Sequence, residues 1–393
     1  MKKLLIIHHS SVIGGAGISL FNLIQVAKED FDITVYVSNL HDDYSNFLIS
    51  NNIHVQKYEG RMPAIYYHAS SGGVTSKAFW LRLVLIPIKY KFWKKVIQNS
   101  NADLVLVNSL VLCWMSILTS KYQLKSLCFV RETFVRKGTG AISKIQRRFL
   151  ALFTGVSFIS NYDLKVANLP GIVKKFVNHN YIIPKENTKL YEEDNAIFSI
   201  LYIGGISKIK GIEVVIKAAK ILKSFPDIHF NIVGEDYSAL KDLKFKLKNI
   251  FNKNIKLSKK IKKQVVENDL QKTVSFHGLQ KEMDTHFKAC DVLICPIVTP
   301  HQQRGIFEAG WYSKPVIVSD FEQLHWSVKD GANGAFFKPN SAEGLADKIL
   351  NLYHNRTICI AQGQQNKINT LKNHTKDNCM TNALLTLKET LNV

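Results

Sequence analysis

The chain has 393 residues, 46% of them hydrophobic and 21% charged, with 52 Lys+Arg set against 31 Asp+Glu. That length exceeds one ordinary core and suits two domains of roughly 150–200 residues, and the composition excludes a disordered or fibrous protein. The formal net charge of +21 implies an anionic partner, whether nucleic acid, a phosphorylated ligand or an acidic membrane.

The chain opens with Lys2-Lys3 and then Leu4-Leu5-Ile6-Ile7, closed by His8-His9. This apolar core is too short for a signal peptide, and no stretch reaches the roughly 18 apolar residues of a spanning helix, so a cytoplasmic protein is expected. Short Ile-, Val- and Leu-rich runs at Leu4–Ile7, Ile33–Val37, Leu104–Val107, Leu127–Val130 and Gly155–Ile159 read as buried parallel strands. A second series follows at Ile197–Ile203, Phe230–Val233, Val274–His277, Val292–Cys295 and Pro315–Val318. Helical patterns such as Gly17–Lys28 and Gly211–Ser224 lie between the strands, so the chain predicts two successive sets of βα units. The break is expected in the Asn-rich stretch Asn178–Asn195, giving domains over 1–187 and 188–370. A last helix over 371–393 is expected to pack back on the first domain. The six cysteines (113, 128, 290, 295, 359 and 379) form no Cys-x-x-Cys and no metal-ligand spacing with histidine, and read as reduced, mostly buried thiols.

Strand one runs into Gly14-Gly15-Ala16-Gly17 and then a helix, where glycine admits close backbone approach and a helix N-terminus offers free amides to an anion. Tight packing of turn and helix would need the same glycines. This is not the Gly-x-Gly-x-x-Gly of dinucleotide enzymes. The segment Phe79–Lys95 interleaves aromatic and basic residues. From Gly60 to Ala102 there are seven Lys+Arg (61, 77, 82, 89, 91, 94 and 95) and no acid. Such a stretch suits a lipid headgroup layer, with Trp80 and Trp93 as anchors, or else a buried helix with a basic rim. No RRM, KH, zinc-finger or helix-turn-helix pattern accompanies the charge, so nucleic acid is not expected as a partner. Ten lysines between Lys241 and Lys263 read as a solvated elaboration or an anionic docking surface.

In the second half, Tyr202-Ile203-Gly204-Gly205 ends a strand and Ser207-Lys208-Ile209-Lys210-Gly211 leads to a helix, which places an ammonium beside a helix N-terminus. Lys210 is the stronger candidate of the two lysines. Further on, Thr299-Pro300-His301-Gln302-Gln303-Arg304-Gly305-Ile306-Phe307-Glu308-Ala309-Gly310 sets a carboxylate among apolar neighbours, where it needs a partner such as a ribose diol.

With these motifs in this order, nearly the whole chain resembles the retaining nucleotide-sugar glycosyltransferases of family 4. The similar segments include Gly14–Gly17, Gly204–Gly211, Val233–Asp236, Phe276-His277-Gly278, Ala289–Val292, residues 304–320 and Asp330–Gly334. The resemblance implies the α/β GT-B fold, two tandem Rossmann-like domains with parallel sheets facing across a cleft. It also implies an acceptor-binding first domain and a donor-binding second domain. It carries Lys210 and Glu308 over as catalytic residues, and Arg304 is added to them as a suggested replacement for a guanidinium that the family has elsewhere. Gly15, Gly204, Gly205, Gly278, Gly305, Ile306 and Phe307 join those three as donor contacts. Two departures stand out: of the family's two donor-pocket glutamates the second is Glu308 but the first position is Pro300, and the usual arginine of the first phosphate loop is Gly205. Arg304 is the candidate replacement guanidinium, and His301 matches no role in the family. His9, Asn108, Arg131 and Glu132 fall at strand ends of the first domain, where acceptor contacts are expected. The resemblance further implies a UDP- or GDP-linked sugar donor, no metal and no cofactor. A lipid-linked glycan acceptor of bacterial surface polysaccharide follows, reached by a peripheral enzyme on the inner face of the cytoplasmic membrane through residues 79–95. A nucleotide-sugar 2-epimerase of the same fold, or an inactive membrane- or nucleic-acid-binding module, are the competing expectations.

Overall fold

The computed structural model describes every residue except 69–70, 72, 135–139, 183–196, 237–252, 281 and 393. The chain divides into two compact units, Met1–Tyr181 with Lys376–Val393, and Ile182–Thr375. The expected boundary at 187/188 lies outside the described residues. The terminal element starts later than expected, at 376, because residues up to Asn373 prolong a helix of the second unit.

The first unit holds a sheet of seven parallel strands in the order β3-β2-β1-β4-β5-β6-β7. They are β1 (Lys2–His8), β2 (Phe31–Ser38), β3 (His54–Tyr58), β4 (Leu104–Asn108), β5 (Ser126–Val130), β6 (Gly155–Phe158) and β7 (Lys174–Val177). The second unit holds six parallel strands in the order β10-β9-β8-β11-β12-β13. These are β8 (Phe198–Ile203), β9 (Ile228–Val233), β10 (Val274–Gly278), β11 (Val292–Cys295), β12 (Val316–Ser319) and β13 (Gly334–Phe337). Among the helices, α1 (Gly15–Ala27) follows β1, α2 (Lys77–Asn99) precedes β4 and α3 (Ile212–Ile221) follows β8. Then α4 (Gly305–Trp311) joins β11 to β12, α5 (Arg356–Asn373) closes the second unit, and α6 (Lys376–Leu391) returns to the first.

Each sheet is covered on both faces, which is why its central strands β1, β4, β5, β8 and β11 are mostly apolar, while β2 and β9 admit a few polar residues such as Asp32 and Asn231. Along β1 the side chains alternate: Leu5 and Ile7 enter one core cluster with Trp93, Val105 and Val107, while Leu4 and Ile6 enter another with Leu20, Leu104 and Leu127. The second cluster is completed by α6, through Cys379, Met380, Ala383 and Leu387. Asn178 Nδ2 donates to Thr386 Oγ1 (2.9 Å), and Lys388 pairs with Asp30 (2.8 Å), fixing that helix in place. In both sheets the strand order reverses beside the first strand, so successive crossovers go to opposite sides and the loops after β1 and β4, and after β8 and β11, part at the carboxyl ends. All six cysteines are buried and free.

Three strands escape the apolar reading: β3, β7 and β13. All three are sheet edges, where a short strand suffices; β3 and β7 are partly polar, whereas β13 (Gly-Ala-Phe-Phe) is apolar but only four residues long and opens on glycine. Of the lysine tract, 241–252 lies outside the described residues. The remainder is on a helix, Lys253–Glu267, where Lys260 pairs with Glu213 (2.6 Å) and Lys262 with Asp236 (2.5 Å).

Leu387 is fully buried on α6, and Leu387→Ala should destabilise the first unit by about 2–5 kcal/mol through lost contacts and the cavity left behind. Hydrogen exchange should show faster opening of β1 and β4 amides, with β8 and β11 unchanged.

Candidate active site

In the second unit, the exits of β8, β9 and β10 are tied by backbone. Gly204 and Gly205 both donate their amides to Val233 O (3.0 and 2.9 Å), Ile206 N donates to Glu235 O (2.9 Å), and Gly234 N to Gly278 O (2.8 Å). Gly205 has φ +58°, and a Cβ there would lie 2.5 Å from Glu235 O and closer still to Glu235 N. Gly211, at φ +86°, caps α3, and its Cβ would land on the carbonyl oxygen of Pro296. Val298 N donates to Ile209 O (3.0 Å), and Lys210 Nζ donates to Gln303 Oε1 (3.3 Å). The loop after β8 and the loop after β11 are therefore interlocked, with Lys210 between them. α3 begins without a side-chain cap, but Ile212 N donates to Ser207 O (3.3 Å) and Val214 N to Gly211 O (2.9 Å), so Lys210 precedes a first turn closed largely by main-chain oxygens. Burial pulls the Lys210 pKa below its usual value, and the buried Cys295 opposes that shift.

The geometry corrects one reading of the departures from the family. With Gly205 in the left-handed region and Glu235 main chain against it, no arginine side chain can be carried at 205 on this backbone. Arg304, the candidate substitute, pairs with Glu308: Nε is 2.9 Å from Oε1, one helical turn along α4. Burial raises the Glu308 pKa, and Arg304 acts against that rise. The pair lines a small recess with Asp284, Phe287, Trp311 and Tyr312. Lys210 and Glu308 share a neighbour in Cys295, whose thiol burial pushes up to about 12, with Lys210 opposing and Glu308 adding to the shift.

α4 is held from behind by α5. Asn366 Nδ2 donates to Ile306 O (3.2 Å) and Lys314 O (2.9 Å), and Gly310 and Gly363 let the two segments approach to backbone distance. Of the expected donor contacts, Ile306 and Phe307 are buried in this packing. Phe307 stacks on His374, with ring centroids 3.5 Å apart, so both side chains serve the core. Gly278 is open at its Cβ, and Gly305 stands at the start of α4.

Gly15 belongs to the first unit, at the start of α1, with open space at its Cβ; the close approach in that turn falls at Gly17, against Tyr44. The four residues assigned to the acceptor meet at the carboxyl ends of β1, β4 and β5. Asn108 Nδ2 donates to His8 Nδ1 (3.0 Å), and Arg131 Nε donates to Asn108 Oδ1 (3.1 Å). Glu132 accepts from Ser109 Oγ and from the amides of Leu110 (2.9 Å) and Arg131 (3.0 Å). Burial lowers the Arg131 pKa to about 10 and keeps His9 below its usual value, with Glu132 opposing at His9. His9 Nδ1 is buried without a hydrogen-bond partner among the described residues.

α2 carries the aromatic, basic segment. Phe79, Trp93 and Ile97 face the core, and Trp93 packs on Tyr58 with centroids 5.1 Å apart. Trp93 is thus not the exposed anchor expected. The outer face presents Trp80, Leu81, Val84, Ile88 and Phe92, from 41% to 62% exposed, with Lys77, Lys91 and Lys95 exposed among them. No helix among the described residues is long and apolar enough to cross a membrane.

Two polar residues of the second unit were not assigned a role by sequence reasoning. Gln303 is buried and holds Lys210, and His301 is buried beside it. Their only signal was their place in a loop between a strand and the Glu308 helix.

Residues 185–369 match the family model for glycosyl transferases group 1. An uncharacterised glycosyltransferase of Methanocaldococcus jannaschii is 23% identical over 385 residues, covering 93% of this chain and 92% of the relative. The structure of Anabaena HepE in complex with UDP and glucose aligns at a TM-score of 0.72 and 16% identity, over 99% of this chain and all (100%) of that one. The lipopolysaccharide outer core galactosyltransferase WaaB aligns at 0.67 and 14% identity, over 99% of both chains. At those identities the structures establish the fold, which is the two-domain α/β fold of GT-B glycosyltransferases. The family match falls within the second unit and spans most of it.

Gly205→Ala should destabilise the second unit by about 2–5 kcal/mol, from a strained φ and a Cβ forced against main chain. Gly205→Arg should do so at least as much, read by urea denaturation; a wild-type midpoint would mean that the two loops are not interlocked as described.

Proposed function

We propose that the protein is a retaining glycosyltransferase that moves a sugar from a UDP- or GDP-linked donor to a lipid-linked glycan of a bacterial surface polysaccharide. The observation that carries this reading is the interlocking of the loops after β8 and β11, which holds Lys210 just ahead of α3 at the carboxyl ends of the strands. A diphosphate there meets an ammonium next to the positive end of a helix dipole. Glu308 keeps one carboxylate oxygen for Arg304 and has the other for a ribose hydroxyl, with Arg304 opposing the rise in pKa that burial causes. The complex of HepE with UDP and glucose favours UDP as the nucleotide.

In the reaction, the bond from the anomeric carbon to the diphosphate breaks and a bond to the acceptor oxygen forms on the same face. The acceptor's proton passes to the leaving phosphate oxygen. Negative charge grows on the diphosphate as it departs, and Lys210 with the dipole of α3 stabilises it. That work needs no metal. In the first unit, His9, Asn108, Arg131 and Glu132 surround the strand ends suited to an acceptor hydroxyl, and the unpartnered His9 Nδ1 supports that use.

The outer face of α2 supports a membrane-bound acceptor. An apolar stripe flanked by lysines, in a segment without acid from Gly60 to Ala102, matches an anionic bilayer surface in both chemistry and charge. WaaB, named for lipopolysaccharide, fits the same class of acceptor. An epimerase works on a soluble nucleotide sugar alone and has no use for such a face.

Lys210→Ala should lower kcat about 100- to 1,000-fold with a smaller effect on nucleotide binding, since the charge it meets is largest in the transition state. Glu308→Ala should weaken nucleotide binding about 10- to 100-fold by calorimetry. Activity should persist in excess EDTA; complete loss with rescue by manganese would overturn the metal-free reading. Two unaffected variants would remove the site assignment.

Sedimentation with anionic liposomes should be strong at low salt and fall as salt rises, because each lysine near the leaflet contributes about 1 kcal/mol within a screening length of about 8–10 Å. Replacing Lys77, Lys91 and Lys95 by Ser should weaken the partition about 100-fold and leave nucleotide binding intact. A wild-type protein that ignores such vesicles at low salt would point to a soluble acceptor.

A further inference from the structure

Among the buried polar groups of the second unit, His301 offers a hydrogen-bonding atom that the protein itself does not use. The residue is 8% exposed, in the loop between β11 and α4 that interlocks with the Lys210 loop. Its Nδ1 lies 2.8 Å from Thr299 O, and a carbonyl oxygen only accepts, so Nδ1 carries the ring's proton. Nε2 of the neutral ring is then a bare acceptor, and the ring makes no second hydrogen bond among the described residues. Burial first, and Lys210 second, push the His301 pKa down to about 4, so the ring is neutral near pH 7.

The neighbouring Gln303 cannot serve the same purpose. Its Oε1 takes Lys210 and its Nε2 donates to Gln302 O (3.1 Å). An ionised diphosphate has no proton to donate and is therefore no partner for His301 Nε2. A hydroxyl is such a partner, and the sugar attached to a diphosphate held at Lys210 brings several.

We propose that His301 Nε2 accepts a hydrogen bond from a hydroxyl of the transferred sugar and so helps select which sugar nucleotide the site takes. This rests on the donor reading given above, and goes beyond it in naming a specificity residue. It makes the imidazole a reader of sugar stereochemistry, because a lone pair fixed by the Nδ1 bond accepts from one direction only.

The test is calorimetric titration of the full chain with UDP, GDP, UDP-glucose, UDP-N-acetylglucosamine and GDP-mannose. For the preferred sugar nucleotide, His301→Phe, which keeps a ring but removes both nitrogens, should bind about tenfold more weakly. The matching nucleoside diphosphate should bind within twofold of wild type, which also shows that the variant is folded. His301→Gln, which retains an acceptor oxygen, should recover part of the loss. Equal affinities of wild type and His301→Phe for the sugar nucleotide would overturn the proposal and leave the donor reading standing. Equal weakening of sugar nucleotide and diphosphate would also overturn it, by assigning His301 to the loop or the diphosphate. If wild type binds none of the five ligands, the donor reading falls and the proposal with it.

Discussion

Main chain meeting main chain at the mouth of the second sheet is the contact on which the candidate site depends. Gly205 lies against Gly234 and Glu235, and Gly211 lies against Pro296, each at a positive φ and each with no room for a Cβ. Because backbone groups bond one another there, the loops after β8 and β11 keep their shape without recruiting side chains. Lys210, His301 and Gln303 are consequently available for a ligand or for orienting one another. The cost is sequence freedom: the same closeness that fixes Lys210 forbids a guanidinium at 205. The site's positive charge has to come from elsewhere.

Charge in this unit is held against dehydration. Burial works against the ammonium of Lys210 and against the carboxylate of Glu308 alike. The two receive different help: Lys210 has the neutral oxygen of Gln303, whereas Glu308 has the cation of Arg304. An ammonium backed by a neutral acceptor keeps its full charge for an incoming anion, while a carboxylate backed by a cation is already partly compensated. The asymmetry suits a ligand that brings phosphate charge to one end and uncharged hydroxyls to the other.

The inner strands of both sheets were legible because they are covered on two faces and so read as runs rich in Ile, Val and Leu. β3, β7 and β13 were not, because an edge strand needs no such run. Lys210 and Glu308 stood out by their places in a glycine loop and on an apolar helix. The Arg304–Glu308 pairing lay within reach, since residues four apart share a helix face, but charge type alone pointed Arg304 to a phosphate. Trp80 and Trp93 are thirteen residues apart in one helix, which puts them on nearly opposite sides, so they were never able to anchor a surface together. The proton position of His301 and the closure at Gly205 were beyond reach, because both arise from carbonyl oxygens brought close by the fold.

The return of α6 to the first unit couples folding to the direction of synthesis. Cys379, Met380, Ala383 and Leu387 complete the cluster that holds Leu4, Ile6 and Leu20, yet all of Ile182–Thr375 is translated in between. At about 5–20 residues per second, the nascent first unit waits roughly 10–40 s with that apolar face uncovered. During this interval it is a partner for whatever holds exposed hydrophobic surface in the cell, and the second unit, contiguous in the chain, is free to reach its native state first.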